Sequence, residues 1–73
     1  MKKQIFASLH KKDNNYILHI ENDSNGKIIE HVLSEKTVKV FIRKEISSYW
    51  NKGYTYIFNN YSDISFPTPV VNL

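Results

Sequence analysis

The chain has 73 residues, ten Lys and Arg against seven Asp and Glu, no cysteine, and a hydrophobic share of 41%. That length holds one domain and not two, the apolar share is too high for a disordered tail, and the lack of thiols excludes disulfides, thiolate metal ligation and thiol nucleophiles. A net charge of +3 admits nucleic-acid or acidic protein partners without demanding them.

Residues 4–10 alternate, with Ile5, Ala7 and Leu9 on one side and Phe6, Ser8 and His10 on the other, as a half-buried strand requires. Lys11 to Asn15 supply turn residues. Residues 16–21 alternate again, Tyr16, Leu18 and Ile20 against Ile17, His19 and Glu21, so the two segments are expected to form a hairpin. Asn22-Asp23-Ser24-Asn25-Gly26 is the strongest turn signal, because Asn-Gly favours positive φ at both central positions of a hairpin turn. Residues 27–33 read as a third strand with blurred alternation: Glu30 lies between Ile28 and Val32, and His31 between Ile29 and Leu33. Such blurring points to an edge position or to partial cover of both faces.

The apolar period then lengthens. Val38, Phe41, Ile42, Ile46 and Tyr49 recur at helical spacing, which predicts an amphipathic helix over residues 35–51. Ser34 is the expected N-cap, with Glu35 in the first turn and Gly53 as the left-handed residue past the end. Residues 54–59 are rich in aromatic and branched side chains and read as a fourth strand, able to pair at either edge of the sheet. Asn60 to Asp63 read as a loop. Residues 64–73 hold Pro67 and Pro69, which exclude a central strand and suggest an extended arm or edge segment. The expected fold is α+β: a small antiparallel sheet of three to four strands with one amphipathic helix packed on one face, in the order β-β-β-α-β, as a single domain over residues 1–73.

No phosphate loop, dinucleotide motif or nucleophile elbow occurs, and enzyme activity is the least expected class. No cofactor and no metal are expected. His10, His19 and His31 fall one on each strand, without the spacing of a metal motif. Glu45 falls within the apolar stripe of the helix, where a carboxylate needs a partner such as a histidine or a tyrosine hydroxyl. One flank of the helix gathers Lys36, Lys39, Arg43 and Trp50, and exposed tryptophan among cations is a common anchor in protein contacts. With Tyr54, Tyr56 and Phe66 as further aromatic anchors, the expected partner-binding set is Lys39, Arg43, Trp50, Tyr54, Tyr56 and Phe66. No apolar run approaches the roughly 20 residues that span a bilayer, and the basic start is followed by too short an apolar stretch for a signal peptide, so the expected location is cytoplasmic.

The order of three strands and a helix over residues 4–50, with Asn25-Gly26-Lys27 before the third strand and Ser34-Glu35-Lys36 opening the helix, resembles the small arm-binding domains of tyrosine recombinases. That resemblance implies a sheet that reads DNA. Here strands two and three carry Glu21 and Glu30 in place of a line of Arg and Lys.

The expected function is a small non-enzymatic protein-binding module, an inhibitor or modulator of a larger complex, with a residue usage rich in Lys, Asn, Ile and Tyr that suits a phage or mobile-element protein. The alternative is a nucleic-acid-binding domain in which Lys36, Lys39, Arg43 and Lys44 hold phosphates while Trp50 stacks. An edge strand or an exposed aromatic face could also pair two copies as a homodimer.

Overall fold

The structure is a computed structural model and describes residues 3–65; the Pro67 and Pro69 segment and Phe66 lie outside the described residues. Strands β1 (Gln4–Lys12), β2 (Asn15–Asn22) and β3 (Lys27–Ser34) precede helix α1 (Val38–Asn51) and strand β4 (Thr55–Asn60). They build one sheet in the order β3-β2-β1-β4. The first three strands form the expected antiparallel meander, with Ile5 opposite Asn22 and Tyr16 opposite Leu33. β4 runs parallel to β1, from Gln4 opposite Thr55 to Leu9 opposite Asn60, so the sheet as a whole is mixed. The direction follows from the chain path. β3 runs the same way as β1, and an intervening helix returns the chain to the starting end, which is the connection a parallel pair needs.

The alternation read from the sequence decides the core. Ile5, Ala7 and Leu9 of β1, with Tyr16, Leu18 and Ile20 of β2, point at the helix and are buried. They meet Val38, Ile42 and Ile46, one side chain per turn of α1, and Tyr56 and Phe58 of β4. From β3 only Leu33 joins this core, and it is partly buried.

Two turns differ from the sequence reading. The β1–β2 hairpin turns through Asp13 and Asn14 alone, and Asp13 takes a left-handed φ of 57°. The β2–β3 loop lies within the expected turn, over the four residues 23–26, and of Asn25 and Gly26 only Gly26 has positive φ, at 73°. Side chains hold this loop. The Asn22 amide oxygen accepts the Ser24 N–H at 2.9 Å and the Ser24 hydroxyl at 2.7 Å, and the Asn25 oxygen accepts the Lys27 N–H at 2.9 Å. These local bonds satisfy backbone that a two-residue turn would have closed directly.

The helix begins three residues later than Ser34 and Glu35 predict. Ser34 pairs with Asn15 in the sheet, so its backbone belongs to β3. The chain then turns through residues 35–37, with the Thr37 N–H donated to the Ser34 carbonyl at 3.1 Å. Thr37 is the N-cap residue, makes no side-chain capping bond, and leaves the first helical turn without an acidic residue. The C-terminus matches the reading. Gly53 has φ of 85°, its N–H meets the Trp50 carbonyl at 3.0 Å, and the Tyr54 N–H meets the Tyr49 carbonyl at 2.9 Å. This pair of bonds is the Schellman closure of a helix.

After β4, residues 61–65 fold back over the end of the core. The Tyr61 N–H is donated to the Leu9 carbonyl at 2.8 Å, and Ile64 packs on the core cluster. Asp63 accepts the Lys11 ammonium at 3.0 Å and the Tyr16 hydroxyl at 2.8 Å. The loop is therefore tied to the first hairpin.

Two substitutions test this frame by urea unfolding followed by circular dichroism. Ile42→Ala empties a fully buried position and is expected to cost about 3 kcal/mol. Gly53→Ala forces an L-residue into the left-handed region and is expected to cost about 1 kcal/mol, although no atom stands in the way of the added Cβ.

Candidate interaction surfaces

Helix α1 lies over one face of the sheet and leaves the other uncovered. The strand register places side chains on that uncovered face in three rows. Ile57, Phe6, Glu21 and Ile28 form the first, Asn59, Ser8, His19 and Glu30 the second, and His10, Ile17 and Val32 the third. The outer rows are largely apolar: Phe6 is 38%, Ile28 59% and Val32 68% exposed. The middle row is polar, and its His19 Nδ1 lies 3.3 Å from a Glu30 carboxylate oxygen. His10 stacks on Tyr61 with ring centroids 5.0 Å apart, which extends the third row past β4. None of these positions is Lys or Arg, and the charges in the three rows are Glu21 and Glu30; a further row of Lys12, Asn15 and Ser34 at the end of the same face carries the one cation, Lys12.

The helix face carries the cations. Lys39 and Arg43 are exposed and stand one turn apart, with Trp50 two turns beyond. Trp50 is 47% exposed, so much of its indole faces solvent. Phe41 on another flank meets His31 of β3, with centroids 4.7 Å apart. The Lys39, Arg43 and Trp50 flank therefore points away from β3. Lys39 also borders a shallow hollow of about 340 Å³ with Tyr16, Glu35, Asp63, Ile64 and Ser65. Lys44 faces a second hollow of about 330 Å³, beside Phe41, Glu45, Ser48, Tyr49 and Lys52, so the basic residues of the helix do not form one patch.

The aromatic anchors separate. Tyr56 is fully buried and cannot meet a partner, which corrects its place in the expected binding set. Tyr56 and Phe58 point at the helix because β4 inserts beside Ile5 and Ala7, whose apolar face it extends. Tyr54 is half-buried and engaged within the domain: its ring meets Tyr49 edge-on at 5.3 Å and its hydroxyl lies 3.3 Å from Ser24 Oγ. Hydrogen bonds from Ser24 and Asn22 hold that hydroxyl's pKa below its ordinary value.

Glu45 finds its partner in Tyr56, whose hydroxyl donates to Oε1 at 2.6 Å. Burial raises the Glu45 pKa, and the Tyr56 bond and nearby His31 oppose that rise. Burial first, and then the Glu45 carboxylate, push the Tyr56 hydroxyl far above the ordinary tyrosine range. The phenol accordingly remains a donor, and the pair satisfies a polar group beneath the helix. The three histidines part company too: His10 and His19 share the uncovered face and His31 lies on the helix side. Among the described residues no group of three His, Asp or Glu is placed to hold a metal ion, and no helix is long and apolar enough to cross a membrane.

Sequence reasoning assigned Phe6, Ile17, Ile28 and Val32 to strand faces without reading them as a surface. The available signal was that β1, β2 and β3 carry large apolar residues on both of their faces, whereas one helix can cover only one. Compared with known protein-family models, curated proteins and solved structures, the chain matches none.

Two titrations follow from these contacts. The Glu45 carboxyl is expected to titrate above the ordinary glutamate value by carbon-detected NMR, and higher still in Tyr56→Phe, which removes the donor that favours the anion. Asp63 is held below its ordinary value by Lys11 and Tyr16. Its contribution to stability is therefore present above the ordinary aspartate value of 3.8 and is lost as pH falls through the depressed folded-state value. Asp63→Asn is expected to lower the melting temperature at neutral pH, with the gap to wild type closing in acid.

Proposed function

We propose that this chain is a small protein-binding module that meets its partner through the uncovered face of the sheet. The observation that carries this reading is the pairing of exposed apolar residues, Phe6, Ile28 and Val32, with the absence of any Lys or Arg from the three rows around them. Large apolar side chains exposed together on one face of a small domain are a mark of an interaction site. The acidic balance of the face selects the partner's chemistry: apolar contacts for the outer rows, and basic or hydrogen-bond-donating groups opposite Glu21, His19 and Glu30. A phosphate backbone would meet Glu21 and Glu30 on this face, so the sheet is ill suited to nucleic acid. The helix cations, divided between two flanks, give a nucleic acid no single basic track. A module of this size, with no assembled catalytic group among its described residues, acts by occupancy, as an inhibitor or modulator of a larger complex.

Photo-crosslinking tests the assignment. Benzoylphenylalanine at Phe6 is expected to give one dominant protein adduct in a lysate of the source cells, and the same probe at exposed Ser47 on the helix is expected to give none. Adding Glu21→Lys to the Phe6 probe is expected to abolish the adduct. Equal adducts from both positions, or adducts to nucleic acid alone, would rule the reading out.

A further inference from the structure

We infer that the groove between α1 and the first half of β3 is a second docking site, one that takes an acidic, partly apolar segment of another protein. The groove lies on the helix side of the sheet, so the inference is independent of what the uncovered face receives.

The diagonal course of α1 opens this groove. Near its start the helix touches β3, where the Phe41 and His31 ring centroids lie 4.7 Å apart. Near its end it has crossed to the far edge, where Tyr49 meets Tyr56 of β4 with centroids 5.9 Å apart. The first half of β3 is left behind. Lys27 and Ile29 pair with Asn22 and Ile20, which share rows with the buried Ile5 and Ala7, so both point to the helix side. Even so, Lys27 is exposed and Ile29 is 47% exposed. The helix flank beside them carries two rows, a half-buried one of Phe41, Glu45 and Tyr49 and an exposed one of Lys44, Ser48 and Lys52. These two rows line the hollow of about 330 Å³.

Charge selects the occupant. Lys27, Lys44 and Lys52 make no salt bridge within the described residues. Glu45 is the one acid lining the hollow, and its Oε1 already accepts the Tyr56 hydroxyl. Lys44 and Lys52 are two turns apart, about 12 Å along the axis, which is close to the span of four residues of an extended peptide. Carboxylates at that spacing reach both ammonium groups, while apolar side chains on the peptide's other side turn towards Phe41 and Ile29. Nucleic acid fits less well, because the rings of the groove are engaged: Phe41 with His31, and Tyr49 with Tyr54, Tyr56 and the Lys52 ammonium 5.7 Å from its centroid. A base would have to displace one of these contacts to stack.

Heteronuclear NMR on the isotope-labelled full chain tests this, with a ten-residue peptide of alternating Glu and Leu as the probe. Amide shifts are expected to move at Ile29, Lys44, Ser48 and Lys52, and to stay in place at Phe6, Ile17 and Val32 on the uncovered face. Lys44→Glu and Lys52→Glu are each expected to weaken binding about fivefold, the scale of one exposed ion pair turned repulsive. Arg43→Glu changes the net charge equally on the other flank and is expected to alter binding by less than about twofold. The double variant Lys44→Glu with Lys52→Glu is expected to bind a peptide of alternating Lys and Leu that wild type does not bind. An all-Glu peptide is expected to bind wild type more weakly than the alternating one. Unmoved groove amides, an equal loss from Arg43→Glu, or a single-stranded DNA ten-mer that moves the same amides at lower concentration would each overturn the inference.

Discussion

A helix with its side chains is about 10 Å across, and four strands at about 4.8 Å spacing make a sheet roughly 19 Å wide. With one helix available, part of the sheet must go without cover, and the rest of the molecule is arranged around that shortage. α1 is placed where apolar residues are densest, over β1, β2 and β4, and the core consists of what it can reach. β3 falls outside its shadow except at Leu33 and at His31, which touches Phe41. The exposure of Ile29 on the helix side is therefore a consequence of geometry, Ile28 and Val32 lie on the face opposite the helix, and the surfaces that invite a partner are the ones the helix cannot serve.

The same shortage explains the polar devices around the core. Glu45 sits half under the helix because the stripe it interrupts has no second helix against it, and the Tyr56 hydroxyl meets the need this creates. The far end of the core is closed by the 61–65 loop, which is drawn down by Ile64 and fastened by Asp63 to Lys11 and Tyr16. Each device compensates for missing layers with contacts between groups far apart in the chain.

That distance marks the boundary of what the sequence discloses. The alternation in residues 5–9 and 16–20 sorted the side chains into the two sets that the sheet separates, without saying which set meets the helix, and Gly53 announced the end of the helix, because these signals act over a few residues. The start of the helix misled. Ser34-Glu35 looks like a cap, but Ser34 is held in the sheet by Asn15, nineteen positions away, and Thr37 takes the role. Tyr56 misled for a related reason: alternation separates two faces of β4 without saying which faces the helix, and that depends on pairing with β1. The Asp63 link to Lys11 and Tyr16 had no local signature at all. Among the expected contact residues, Lys39, Arg43 and Trp50 are at the surface as read. The apolar rows of the uncovered face emerge only once strand order and register are known.

The parallel seam between β1 and β4 also bears on how the chain reaches this state. Gln4 pairs with Thr55 and Leu9 with Asn60, so a strand near the start of the sequence waits for one near residue 60. The meander and the helix can form from neighbouring residues, whereas this seam must close a loop of about fifty residues before it returns any stabilisation, and such non-local closure slows folding. During synthesis β1 has one flank on β2 and the other bare until β4 leaves the ribosome. The domain consequently completes itself late, and a nascent chain stalled before β4 would present an additional sticky edge to its surroundings.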